Sequence, residues 1–244
     1  MMNEKTKKHT KGTPLKQLHG KDRFVYIWDY YKLPLILCAI ACYIIGSILY
    51  GHFTRKDRVL YTAFVNVSAP ESLSNKLQSG FLEHENIDTK KNELYLYQNL
   101  YLTADPENEN YEYSYASRTK IIAAIEGHLM DVVLMDKEAF DAFSEEGYLM
   151  DLTALTKDDS ELQKLLEPYI CENTRIVSDN SVDVQMDDSV EYQAETVSEP
   201  LGIEVSKTGL VGDVGYTDHI YLGVIGNSPR LDLVLDYIRY ITKE

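Results

Sequence analysis

The apolar positions of this chain follow two different patterns, divided near residue 55. From Leu33 to Thr54 the sequence reads LPLILCAIACYIIGSILYGHFT, with no charged residue, between Lys32 and Arg55. About 20 apolar residues in helical form cross the hydrocarbon core of a bilayer. The run therefore predicts a single-pass transmembrane helix over residues 33–54, with the bilayer as its partner. Beyond it the apolar residues come in short blocks with the periods of strands and helices. Residues 59–67 (VLYTAFVNV) are almost continuously apolar, as in a strand buried on both faces. Ser68 and Glu71 then stand at capping-box spacing, with Pro70 in the first turn of a helix carrying Leu73, Leu77 and Phe81 four apart.

The alternation continues along the chain. Residues 93–102 form a Tyr- and Leu-rich strand, followed by a polar loop over residues 103–117. Ser117 caps a helix with Ile121, Ile122, Ile125 and Leu129 on one stripe. Residues 131–135 (DVVLM) read as a short buried strand, and Asp136 as the N-cap of a helix with Ala139, Phe140 and Phe143 on its apolar face. Gly147 fits the left-handed position that ends such a helix. A further helix is expected over residues 160–170, with Leu162, Leu165, Leu166 and Tyr169. Residues 219–225 (HIYLGVI) make a strand, and Ser228 and Pro229 open a last helix lined by Leu231, Val234, Leu235, Ile238 and Ile241. Repeated β–α alternation predicts a three-layer α/β domain over residues 55–244, with helices covering a parallel sheet. Residues 175–199 differ, alternating with period two through Val182, Val184, Met186, Val190, Tyr192 and Ala194. They predict a small β-hairpin insert turning at Asp187, Asp188 and Ser189.

Charge adds an orientation. The first 32 residues hold eight Lys or Arg against Glu4, Asp22 and Asp29, while the whole chain carries −15. Basic flanks stay in the cytoplasm, which predicts a cell-membrane protein with a cytoplasmic tail (residues 1–32) and an extracellular domain. Tyr26, Trp28, Tyr30 and Tyr31 suit the headgroup level, and Pro34 is read in the first turn of the anchor. A cleaved signal peptide has a shorter apolar core and a small-residue cleavage site. Here about 32 residues precede the run, and Tyr50, His52 and Phe53 close it. Cys42 follows Ala39, Ile40 and Ala41 but lies in mid-run, unlike a lipidated leader. The acidic outer domain repels nucleic acid and anionic lipid. Cys38 and Cys42 read as small apolar residues, and Cys171 is the one cysteine outside the run, so no intramolecular disulfide forms there.

Enzyme chemistry finds no motif. The six histidines are scattered without metal spacing, no Gly-x-Ser-x-Gly or P-loop occurs, and Gly209, Gly212 and Gly215 read as a loop. No cofactor or metal is expected. Asp183, Asp187, Asp188, Glu191 and Glu195 on one face of the hairpin suggest calcium, yet no EF-hand glycine is present. A solvated strand face accounts for them.

Two stretches carry a resemblance. Residues 125–153 (IEGHLMDVVLMDKEAFDAFSEEGYLMDLT) and the C-terminal GIEVSKTGL…HIYLGVIGNSPRLDLVLDYIRYI resemble extracellular solute-binding proteins of bacterial ABC transporters. The matches are patterns of residue type in the family's order. They imply a periplasmic-binding-like fold, a small solute such as a sugar or peptide, and an ABC transporter as partner. The WDYYK stretch with an anchor and outer domain is also similar to membrane proteins of Gram-positive, Clostridia-type bacteria, implying a cell-surface setting. Between Ile170 and His219 the chain is too short for the family's second lobe, so closure around a solute is not expected. A surviving site belongs at the carboxyl ends of parallel strands, which singles out Asn66, Ser68, Ser117 and Asp136 as ligand-binding residues. Each reads more readily as a helix cap. Tyr111, Tyr113 and Tyr115 near that edge could stack on a sugar or peptide. The alternative is a non-catalytic scaffold or interaction protein that uses the reduced fold to contact a membrane partner. Full-length protein is expected to stay in the membrane pellet after alkaline carbonate washing, and a chain lacking residues 33–54 to be released. Release of the full chain would refute the anchor.

Overall fold

A computed structural model describes residues 21–187 and 189–243, so most of the basic tail and Asp188 of the expected turn lie outside the described residues. The chain divides between Arg55 and Lys56 into two units. The first holds helix α1 (Lys21–Thr54). Within it Tyr31–Gly51, with mean hydropathy 2.3, is long and apolar enough to cross a membrane. A span and a signal sequence both satisfy that measure. Because α1 starts at Lys21, Pro34 sits inside the helix and not in its first turn. There its ring removes one backbone hydrogen bond.

The second unit is mixed α/β, built on a single six-stranded sheet of order β2-β1-β3-β6-β5-β4. Strand β1 (Asp57–Val65) lies parallel to β2 (Asn92–Leu100) and β3 (Val132–Met135). The rest of the sheet departs from the expected parallel arrangement. Strand β6 (Tyr221–Val224) pairs antiparallel with β3, β5 (Ala194–Glu204) with β6, and β4 (Ile170–Asp179) with β5. After β4 the chain returns through a hairpin and not through a helical crossover, and strands joined so directly pair antiparallel.

Both faces of the sheet are covered. On one face α2 (Glu71–Asn75) runs through a π-helical turn (Lys76–Gly80) into α3 (Phe81–His84). Their Leu73, Leu77 and Phe81 are buried with Leu60, Phe64, Leu134 and Leu222 of the sheet. On the other face α4 (Tyr111–Glu126) and α5 (Lys137–Glu145) bury Ile121, Ile125, Phe140 and Phe143 against Ala63, Val133 and Met135. Successive β3 residues thus feed opposite cores, which is why VVLM has no polar position. Each such side chain contributes about 1.5–3 kcal/mol on full burial. Helices α6 (Leu152–Thr156) and α7 (Ser160–Leu166) follow, so the helix expected to reach residue 170 stops short and Ile170 opens β4. Asp151 and Asp159 cap them by accepting from Thr153 N and Leu162 N.

The hairpin insert is present, but its tip is not the tight turn expected. Residues 181–186 form helix α8 (Ser181–Met186), so Val182, Val184 and Met186 are helical and not extended. Asn180 closes the connection: its amide side chain donates to Glu191 O (2.9 Å) and accepts from Gln193 N (2.7 Å). Strand β5 touches β6 only at Ile203 and Glu204. Further back it peels away, and residues 148–150 take the vacated place beside β6, with Leu149 bridged to Ile225 and Met150 N donating to Val224 O (2.8 Å). By register, the hairpin arm points toward the edge at which β1 begins. Helices α9 (Gly209–Gly212) and α10 (Leu231–Thr242) complete the unit. Gly209 has φ +47, and a Cβ there would lie 1.9 Å from Ile241 O, so no other residue fits. Ser228 does not cap α10, whose N-cap position is Arg230.

Ser228 and Arg230 serve another purpose. Asp131, with no solvent exposure, accepts from Tyr61 N (2.8 Å) through Oδ2. Its Oδ1 accepts from Ser228 Oγ (2.6 Å) and Arg230 Nη1 (2.9 Å). The guanidinium also donates to His128 O and lies over the Tyr61 ring, 4.7 Å from its centroid. Removing one partner of such a buried pair is expected to cost about 3–5 kcal/mol. Asp131→Ala should therefore lower the urea midpoint sharply, while Asp131→Leu combined with Arg230→Met should recover most of the loss. A double variant no more stable than Asp131→Ala would show that the pair is not the source.

Candidate functional site

The strand ends where a ligand was expected are tied to one another. Asn66, at φ 60, follows β1. Its Oδ1 accepts from Leu102 N (2.7 Å), just beyond β2, and its Nδ2 donates to Leu102 O (2.8 Å). The same Nδ2 reaches Asp136 Oδ1 (3.1 Å), just beyond β3. Asp136 is the expected N-cap of α5, with Oδ1 accepting from Ala139 N (2.9 Å). Two of the four proposed ligand residues are thus brought together at the switch point of the sheet, where β1 and β3 send their connections in opposite directions. The Asn66 amide and one carboxylate oxygen of Asp136 are spent on a clasp across three strands.

The other two sit elsewhere. Ser117 is not a cap. Helix α4 begins at Tyr111, six residues earlier in the segment read as loop, and Ser117 is buried within it, accepting from Tyr101 N (3.2 Å). Ser114 does the same for Thr103 N (2.9 Å). A polar sequence on a helix face is legible only once β2's exit is known to lie against it. Ser68 is exposed, and α2 starts at Glu71 behind Pro70, with no side-chain cap. The fixed φ of Pro70 sets that start. The Ser68 carbonyl accepts from Tyr216 OH (2.8 Å). Tyr111, Tyr113 and Tyr115 are exposed on α4, with the Tyr113 hydroxyl donating to Asn99 O.

Beside the clasp a cleft of about 240 Å³ opens between α4 and α5, lined by Leu102, Thr103 and Ala104, Arg118 and four carboxylates. Glu138 is held there by Ala104 N (2.9 Å), and Arg118 meets Glu146 at 3.5 Å. Exposed pairs of this kind contribute at most about 1 kcal/mol. Such a lining suits a small cation or zwitterion. Burial pushes the Asp136 carboxyl up, against the lowering effect of Ala139 N–H and Asn66, and Glu138 and Asp218 add to the rise.

Two wider grooves lie elsewhere. One of about 570 Å³ is bordered by His84, Lys207, Asp213, Tyr240 and Lys243. The other, about 500 Å³, lies where the hairpin arm leaves the body, between residues 147–151 on one side and Arg175 and Glu199 on the other. Among the described residues no group of three or more His, Cys, Asp or Glu could hold a metal ion. Burial raises the Cys171 thiol, which keeps it protonated and unreactive at neutral pH.

No family model, characterised protein or solved structure matches the chain.

Asp136 gives the site a testable pH dependence. Its folded-state pKa lies above the unfolded value, so the native state binds more protons in between. Stability should fall as pH rises from below the unfolded carboxyl pKa through the folded one. Asparagine caps helices as well as aspartate, so Asp136→Asn should flatten this part of the stability–pH curve while keeping the fold. Unchanged curvature in urea unfolding between acid and neutral pH would count against the assignment. Asn66→Ala, by contrast, should cost about 1–3 kcal/mol through the loss of the clasp.

Proposed function

We propose that the chain is a non-catalytic, membrane-anchored interaction protein. Its α/β domain sits outside the cell as a scaffold for a membrane partner. The anchor rests on the apolar length of α1 and the basic flank before it. The observation that carries the reading is the clasp: the Asn66 amide is taken up by Leu102 and by Oδ1 of Asp136, which also caps α5, so of these groups the other carboxylate oxygen of Asp136 is what remains to meet a solute. The single sheet agrees with this, because a one-lobe domain has no second wall with which to bury the 70–90% of a ligand that pockets usually enclose.

A second reading keeps the family resemblance: a solute-binding-like protein serving an ABC transporter. The α4–α5 cleft favours it, being open at the strand edge where the family places its ligand. At about 240 Å³ it is smaller than the roughly 300–1,000 Å³ typical of ligand pockets.

Thermal unfolding of the full chain in lipid nanodiscs, with panels of sugars, amino acids and short peptides, separates the two. The interaction reading expects no rise in Tm with any of them. A rise that Arg118→Ala and Glu138→Gln abolish would establish capture in the cleft and overturn the scaffold.

A further inference from the structure

The arm formed by β4, α8 and β5 is built unlike the rest of the domain. Its two strands pair with each other along their length, but β5 meets the sheet at only two residues and β4 is the last strand on its side. No backbone among the described residues pairs with the outer edge of β4. A two-stranded ribbon alone is marginally stable in water. This one nevertheless exposes Val177 (63%) and Val197 on its strands, and at the tip Val182 (61%) and Met186 (82%) of α8 and Tyr192 are open to solvent. The root is firm: Asn173 Nδ2 donates to Asp141 Oδ1 (2.9 Å) and Ser144 Oγ (3.0 Å) of α5. Fixed at its base and uncovered beyond it, the arm presents scattered apolar side chains, most of them at its tip, and a free strand edge.

Charge decides what can cover it. From Ile170 to Glu204 the sequence carries nine Asp and Glu against Arg175 alone. A second copy of the arm would bring two equally acidic segments together, which is unfavourable. Anionic lipid is repelled for the same reason. The groove at the arm's root adds a polar feature. Arg175 Nη2 is engaged by Glu199 (2.7 Å), but its Nε is shielded from solvent and has no partner. An unsatisfied buried donor is unfavourable until an acceptor such as a backbone carbonyl reaches it.

We infer that the arm docks an extended, Lys/Arg-rich segment of a partner protein, which adds a strand to β4. Strand addition supplies the backbone bonds, and the carboxylates select the basic side chains. The inference rests on the interaction reading and specifies the partner's chemistry.

The test uses the full chain in nanodiscs of neutral phosphatidylcholine and a fluorescent peptide of alternating Lys and Val. Binding should weaken about tenfold or more in the arm variant Glu172→Lys/Glu191→Lys/Glu195→Lys. It should weaken far less in Glu71→Lys/Glu161→Lys/Asp232→Lys, which makes the same net change away from the arm. A peptide N-methylated at alternate residues, unable to complete the ladder, should lose binding to the unaltered chain. Equal weakening in both triple variants, or full binding of the N-methylated peptide, would overturn the inference. A photo-reactive residue at Val177 that couples the chain to a second copy would overturn it too, while leaving the interaction reading standing. A solute captured in the α4–α5 cleft would instead remove the reading on which it rests.

Discussion

Asp131 is the constraint on which the rest of the domain depends. A carboxylate with no solvent exposure needs its charge and lone pairs satisfied internally. The groups that satisfy it come from β1, from the turn before α10 and from α10's N-cap, Arg230, which also binds the turn that ends α4. One side chain thereby fixes where β1, β3 and β6 begin or end relative to one another. Ionic burial of this kind is weak evidence for net stability. Its contribution is geometric, since the strands cannot slip in register without stranding a charge.

The opposite edge of the sheet is closed by a second polar tie, the clasp of Asn66, Leu102 and Asp136. With both ends of the central strands tied internally, the parts free to engage other molecules are peripheral. They are the cleft between α4 and α5, and the arm beyond Ile203. The cleft has charge but little enclosure. The arm has a free edge, exposed apolar side chains and strong acidity, which together favour contact with another chain over capture of a small molecule.

Legibility in the sequence followed the range of the interactions. Helix α5 was readable in detail, with Asp136 as cap, Phe140 and Phe143 inward and Gly147 at φ +70 after its end, because caps and stripes act within a turn or two. The polar stretch before Ser117 was misread as loop. Its serines accept from backbone just beyond β2, outside the span of a helical turn, so a polar helix face looked like solvent-facing chain. The alternating residues 182–186 were misread as strand, since the Asn180 bonds that close the arm's tip carry no periodic signal. Ser228 looked like a cap for the same kind of reason. Its true partner, Asp131, lies 97 residues away.

The sequence by itself determined that an apolar helix precedes an acidic α/β domain, and most of the residues that fill its core, though Ile122, Leu129 and Leu165 of the expected stripes are exposed. Those properties depend on composition and short-range periodicity alone. Only the tertiary structure decided that half of the sheet is antiparallel, that two of the four expected ligand residues bind one another, and that the hairpin stands clear of the body. Each of these depends on which distant segments meet. Pairing direction, hydrogen-bond partners and exposed edges are properties of that meeting, not of any local stretch of chain.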